Sequence, residues 1–268
     1  MANNAKNGEI AVGNSIMDYV AFGAGTEPLI LLPGLSDGLR TVRGTARKQA
    51  RTYREYAKDY RVYIFSRKRD LPEGYTTRDM ARDQAEAMDA LGIGAANVMG
   101  ISQGGMIAQW LAIDRPDLVR KLVLAVSLCH PTGTLKRTMY RRIDWAREKD
   151  YHPIVIDTIE SSCILSRRKL YRPFYPFLGR TGAPDDFTRF IIHAEACLSH
   201  DSTADLHRIA CPTLVIGGDS DRNVGAGTSE DLAAHIHRSE LYIYPSLGHA
   251  AFLEAEDFNE RVLEFLAK

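Results

Sequence analysis

Six short apolar runs punctuate the chain: PLILLPG (28–34), RVYIFS (61–66), ANVMG (96–100), KLVLAVS (121–127), PTLVIGG (212–218) and SELYIYP (239–245). Each is strand-length and several end in turn residues; unbroken apolarity over so few positions predicts strands buried on both faces, as in a parallel sheet. Ahead of them SIMDYVAFG alternates loosely and predicts an antiparallel edge strand. The segments between the runs carry helical spacing. Over 41–60, Val42, Ala46, Ala50, Tyr53, Ala57 and Tyr60 recur every three or four residues. Thr77 is placed to cap a helix reaching about Leu91, with Gly92 just past its end. Residues 104–113 set Met106, Ile107, Trp110 and Leu111 on one face, and DFNERVLEFLAK closes the chain as an amphipathic helix. Strand, helix and parallel strand in repetition predict an α/β class fold: a doubly wound, mostly parallel sheet flanked by helices.

From about 131 to 205 this rhythm stops. The segment has no clear buried strand, carries Tyr140, Trp145, Tyr151, Tyr171, Phe174, Tyr175 and Phe177, and includes the irregular YRPFYPFLGRTGAPDD. It reads as a mainly helical cap inserted between two strands, so that 1–130 and 206–268 form the core domain and 131–205 the lid, with the aromatic residues expected in the lid's core rather than in contact with substrate. Such an insertion lies over the C-terminal edge of the sheet, where open α/β folds bind ligands.

Composition narrows the function classes. The 268 residues suit one large domain with an insertion, and the formal net charge is zero, so no overall field selects nucleic acid. The longest apolar runs are too short to cross a bilayer, and the polar MANNAKNGEI lacks a signal-peptide core, which together predict a cytoplasmic protein. Cys129, Cys163, Cys197 and Cys211 form no CxxC pair. That spacing gives no structural zinc site, and buried free thiols are expected instead, with no metal and no cofactor. Between Arg40 and Arg69 stand eleven Lys or Arg against Glu55 and Asp59. Arg43, Arg47, Arg51, Arg54 and Lys58 predict a solvated basic helix face; the sharper alternative is docking of an anionic partner such as an acyl carrier. The basic residues of the insertion, Arg137, Arg141, Arg142, Arg167, Arg168 and Lys169, admit the same two readings.

The chemistry concentrates in three loops. Gly100-Ile101-Ser102-Gln103-Gly104 follows a strand and opens a helix, the context in which G-x-S-x-G exposes a serine on a tight turn. A serine needs a base. His249, in a glycine-bearing loop after the last strand, is placed at the same sheet edge. Asp221, after the strand TLVIGG, completes the chain order Ser, Asp, His, with Asp219 assigned to the loop's own backbone bonds. The oxyanion donors are expected to be the backbone N–H groups of Gln103, after the nucleophile, and Leu35, in LLPGLSDG. Pro33 has no N–H to give.

With these residues in place the chain resembles the α/β-hydrolase fold superfamily, in its esterase-like branch with a helical cap. ALGIGAANVMGISQGGMIAQWLAIDRPDLVRKLVLA is similar to the nucleophile region, PTLVIGGDSDRNV has the acid's G-x-x-D spacing, and GHAAFLEAEDFNERVLEFL resembles the closing histidine and helix. Two departures stand out: Pro33-Gly34 replaces the usual His-Gly, and SRKRDLPEGYTT replaces the usual Asp-x-Arg-Gly-x-Gly-x-Ser. The resemblance implies a serine hydrolase in which Ser102 attacks a small or medium acyl or aromatic carboxylic ester, His249 shuttles the proton and Asp221 orients it. The same triad serves carbon–carbon bond hydrolysis, cofactor-free haloperoxidase-like perhydrolysis, or a ligand-sensing protein of this fold.

Overall fold

The apolar runs assemble into one eight-stranded sheet: β1 (Lys6–Val12), β2 (Ser15–Phe22), β3 (Glu27–Leu32), β4 (Tyr60–Lys68), β5 (Ala96–Ile101), β6 (Val119–Ala125), β7 (Thr213–Gly218) and β8 (Ser239–Tyr244). The computed structural model describes residues 4–268; Met1–Asn3, the start of the polar stretch read for a signal peptide, lie outside the described residues. The strand order is β1-β2-β4-β3-β5-β6-β7-β8. β1 and β2 are antiparallel to their neighbours, and the pairs from β3–β4 onward are parallel.

Neighbouring residues of each inner strand serve opposite layers. Ile30 and Leu32 join one core with Met80, Met88 and Ile107, while Leu29 and Leu31 join the other with Ala46, Phe258, Val262 and Phe265. Helices α1 (Ala46–Thr52) and α10 (Phe258–Ala267) therefore cover one face. On the other lie α2 (Thr77–Ala90), α3 (Gln103–Asp114) and α8 (Thr228–Ala234). Each large apolar side chain so buried contributes roughly 1.5–3 kcal/mol against leaving it in water. Among the described residues no helix is long and apolar enough to cross a membrane.

Between β6 and β7 the chain runs through α4 (Gly133–Arg147), α5 (Tyr151–Ser162), α6 (Leu165–Tyr171) and α7 (Thr188–Leu198), with no strand. The short α9 (Ala251–Glu254) follows the His249 loop.

Four sequence expectations change. β2 is antiparallel but not the edge; β1, with its polar Lys6-Asn7-Gly8-Glu9, pairs outside it, because an edge strand needs no apolar run. The helix expected over 41–60 is shorter: α1 ends at Thr52, and Tyr56–Lys58 form a separate turn. Its apolar positions all face one core, but the buried Tyr56, whose hydroxyl donates to Asn259 at 2.8 Å, is set by tertiary packing rather than helical period. The cap of α2 is Thr76, not Thr77, in a reciprocal bond pair with Asp79 that occupies two end groups of the helix. Finally, Tyr140, Phe174 and Phe177 are exposed and so form neither cap core nor cavity wall.

Candidate active site

The elbow after β5 is strained where the motif requires it. Ser102 has φ 55° and ψ −118°, a conformation costing a non-glycine residue about 1–3 kcal/mol. Its N–H donates to the Ala125 carbonyl (2.8 Å) and its carbonyl accepts from Ser127 Oγ (2.9 Å), so two bonds hold the strain in place. The flanking glycines are obligatory by contact: a Cβ on Gly104 would overlap the Leu32 carbonyl, and one on Gly100 would overlap the backbone of Gly104. α3 begins directly beneath, with its N-terminal positive potential under the serine.

Ser102 Oγ lies 2.9 Å from His249 Nε2, and His249 Nδ1 lies 2.7 Å from Asp221 Oδ2. The other Asp221 oxygen accepts from the N–H groups of Asn223 (2.8 Å) and Val224 (3.0 Å), which fixes the carboxylate in the loop after β7. Asp219 instead accepts from Ser246 N–H at 2.8 Å and from the Ser220 hydroxyl, the backbone-bonding role expected of it. Side chains from three loops, 147 and 28 residues apart in sequence from His249, thus meet as one hydrogen-bonded chain. Gly34 approaches the same point; a Cβ there would stand 3.9 Å from Ser102 Oγ. The N–H groups of Leu35 and Gln103 begin their helical turns and have no hydrogen-bond acceptor among the described residues.

These groups open onto a cavity of about 580 Å³. Ser102, His249, Leu35 and Met106 line it from the sheet side, and Leu135, Met139, Ile154, Ile159 and Phe190 from the inserted helices. The wall is mainly apolar, with Arg40, Arg142 and Asn223 among its polar members.

Two buried arginines flank it, and charge patterning alone had missed both. Arg67 Nη2 donates to the Pro33 carbonyl (2.6 Å) and to Gln103 Oε1 (3.1 Å), and the Arg67 N–H donates to Asp37 (2.9 Å). Asp37 also pairs with Arg189 at 2.8 Å. The Gln103 amide donates to the His193 carbonyl (2.6 Å), and His193 Nδ1 lies 3.0 Å from Gln103 Oε1. Burial pushes Arg67 down to about 10, opposed by Asp37, so it stays charged at neutral pH. Burial likewise holds His193 neutral, well below its usual range, with the charges of Arg67 and Arg189 adding to the effect. The network ties α7 to the loop of Pro33-Gly34-Leu35, the position where the usual His-Gly is absent.

Arg142, read from sequence as solvated or partner-binding, is buried instead. It bonds Asp157 (2.8 Å), Ser161 Oγ (3.0 Å) and Asn223 Oδ1 (2.9 Å), joining α4 and α5 to the loop of Asp221. Arg67 and Lys68 are buried too, so the basic run does not form one continuous face; Arg43, Arg47, Arg51, Arg54 and Lys58 remain exposed. Of the thiols, Cys129 and Cys197 are buried, while Cys163 and Cys211 are only half-buried.

Known proteins share this architecture. Mouse serine hydrolase BPHL is 27% identical over 272 residues, spanning 96% of this chain and 85% of the relative. A 2-hydroxy-6-oxononadienedioate/2-hydroxy-6-oxononatrienedioate hydrolase of Klebsiella pneumoniae is 32% identical over 200 residues, 70% of this chain and 68% of that one. The solved structure of MGS-M2, an alpha/beta hydrolase enzyme from a deep-sea metagenome library, superposes with a TM-score of 0.84 at 21% identity, covering 97% of this chain and 98% of its own. The family model of the alpha/beta hydrolase fold matches residues 27–256, which takes in every strand from β3 to β8 and all three loops of the site. The chain is therefore an enzyme belonging to the alpha/beta hydrolase fold family.

Proposed function

We propose that the protein is a serine hydrolase acting on a small or medium carboxylic ester with an apolar acyl or aromatic group. The observation that carries this reading is the bonded chain Ser102–His249–Asp221 at the floor of a mainly apolar cavity. His249 Nε2 takes the Ser102 proton as Oγ attacks the ester carbonyl, and Asp221 fixes the ring's tautomer and stabilises the imidazolium. The N–H groups of Leu35 and Gln103 receive the oxyanion. His249 then protonates the leaving alcohol, and water, deprotonated by the same ring, resolves the acyl-enzyme. Arg67, by holding the Pro33 carbonyl and the Gln103 side chain, positions both donors and leaves positive charge behind them. The inserted helices 131–205 act as the cap that gives the acyl group its apolar wall.

Ser102→Ala is expected to lower turnover of p-nitrophenyl butyrate by about 10⁴-fold or more and to abolish fluorophosphonate labelling. Full activity in that variant sinks the assignment.

A second reading has support from the Klebsiella relative, whose name describes hydrolysis of a dicarboxylate ketone, and from Arg40 and Arg142 in the cavity wall. On it the same triad cleaves a carbon–carbon bond beside a ketone. Rates on a vinylogous 1,5-diketone acid against those on uncharged esters separate the two.

A further inference from the structure

Outside the cavity, the loop that follows β6 meets α8, and four side chains able to ligate a metal converge there. Cys129 Sγ lies 3.1 Å from Asp231 Oδ2 and 3.4 Å from His130 Nδ1, and His130 Nδ1 lies 3.5 Å from the same Asp231 oxygen. His235, four residues beyond Asp231, brings Nδ1 to 3.8 Å from Asp231 Oδ1. The ligand atoms of Cys129, Asp231 and His235 all fall within 4.8 Å of one another. None of these residues lines the cavity.

From this geometry we propose a zinc-binding site formed by Cys129, Asp231 and His235, with His130 as the fourth donor. The argument is one of shape. A tetrahedral ion with Zn–S near 2.3 Å and Zn–N or Zn–O near 2.0–2.1 Å separates its ligands by roughly 3.3–3.6 Å. The triangle of Cys129, His130 and Asp231 already has edges of 3.1, 3.4 and 3.5 Å. One sulfur, one oxygen and two imidazoles suit zinc and disfavour magnesium or calcium, which take oxygen ligands. The site has a dry floor and an open side: Cys129 is buried, while the side chains of His130, Asp231 and His235 are 38–47% exposed, which gives the ion a way in.

Ligation replaces existing bonds rather than filling an idle space. The Cys129 thiol donates to Asp231, and burial together with that carboxylate pushes the thiol up to about 12. On binding, Zn²⁺ displaces the thiol proton to solvent and a Zn–thiolate bond forms, with no change of oxidation state. The Nδ1–H of His235 donates to the Asp231 carbonyl at 2.8 Å. The proton moves to Nε2 as the ring takes its other neutral tautomer, and Nδ1 turns its lone pair to the ion instead. The ion then staples the β6–α4 loop to α8. Thr132 in that loop already bonds the Val224 carbonyl, three residues from Asp221, so the staple steadies the loop carrying the acid.

Metal-free protein titrated with Co²⁺ tests the site through an optical readout independent of catalysis. One equivalent is expected to produce a thiolate-to-cobalt charge-transfer band with tetrahedral d–d absorption. Zn²⁺ should bleach both, and at about 100 times its Kd should raise Tm by about 5–10 °C. Cys129→Ser should lose the charge-transfer band. Asp231→Asn and His235→Ala, at half-exposed positions, should weaken Co²⁺ binding by about tenfold or more while keeping the Tm of the metal-free protein within a few degrees. Absence of the band in the parent protein, the same band in Cys129→Ser, or unchanged affinity in both exposed-site variants overturns the proposal.

Discussion

The two buried arginines beside the cavity differ in how completely they are neutralised. Arg142 has a carboxylate in direct contact: Asp157 takes its Nε–H, and Ser161 and Asn223 take the Nη2 group. Arg67 does not. Its carboxylate partner stands 3.8 Å away and is shared with Arg189, and its Nε and Nη1 have no partner among the described residues. Two guanidinium groups and one carboxylate leave a net positive charge behind the Leu35–Gln103 side of the site, whereas on the other side Asp157 and Asp221 together match Arg141 and Arg142. A buried arginine bonded directly to its own carboxylate organises structure. A partly paired one keeps a field, which in a low-dielectric site favours an anion forming nearby. The asymmetry matches the chemistry proposed: negative charge develops at the oxyanion, positive charge at His249.

The largest expected effect comes from erasing that difference. Arg67→Met should reduce kcat on p-nitrophenyl butyrate by about 10–100-fold with KM within threefold, since a group acting on the transition state is lost. Arg67→Lys, which restores charge without the second donor, should recover part of it. A KM effect as large as the kcat effect would make Arg67 merely structural.

Arg142→Met should behave oppositely. Breaking a buried pair costs about 3–5 kcal/mol at most, lessened here because Arg141 also reaches Asp157. Thermal melting should therefore fall by several degrees, and KM should rise more than kcat drops. Kinetics and melting curves on one preparation decide it.

Acid should find another buried cation precursor. His200, packed beside Trp110 and bonded to Thr77, is held by burial at about 3 against a usual 6.5. The folded state resists protonation that the unfolded chain accepts. Its share of stability is thus complete above about 6.5 and is lost as pH falls toward about 3, at up to about 1.4 kcal/mol per pH unit. His200→Gln should flatten Tm against pH between 6.5 and 4, and an unchanged slope would assign the acid sensitivity to His193 and the carboxylates.

The smallest effect belongs to the exposed basic residues. Arg47→Glu with Arg51→Glu should leave turnover of an uncharged short ester within about twofold, as solvated charges do. An acyl carrier, if it docks there, should lose reactivity in that variant and at high salt.

The sequence was informative where function rests on spacing along one strand and its next turn. Ser102 between Gly100 and Gly104, Asp221 three residues past Gly218, and His249 after Gly248 stand at strand ends, and parallel strands place all their ends at one edge. It was less informative where a charged residue is buried. SRKRD reads as a polar loop, yet β4 continues through Lys68 and turns Arg67 inward, because Pro33, Gln103 and Asp37 supply acceptors that are distant in sequence. Arg142 escaped for the same reason.

The chain by itself determined the parallel core, the elbow at Ser102 and the candidate base and acid, since periodicity and turn chemistry are local properties. Only the tertiary structure decided which arginines carry charge into the site, and that Cys129, Asp231 and His235 bring their ligand atoms within 4.8 Å of one another with His130 beside Cys129 and Asp231. Burial and convergence across a hundred residues depend on how layers pack, and no spacing rule along one segment encodes that.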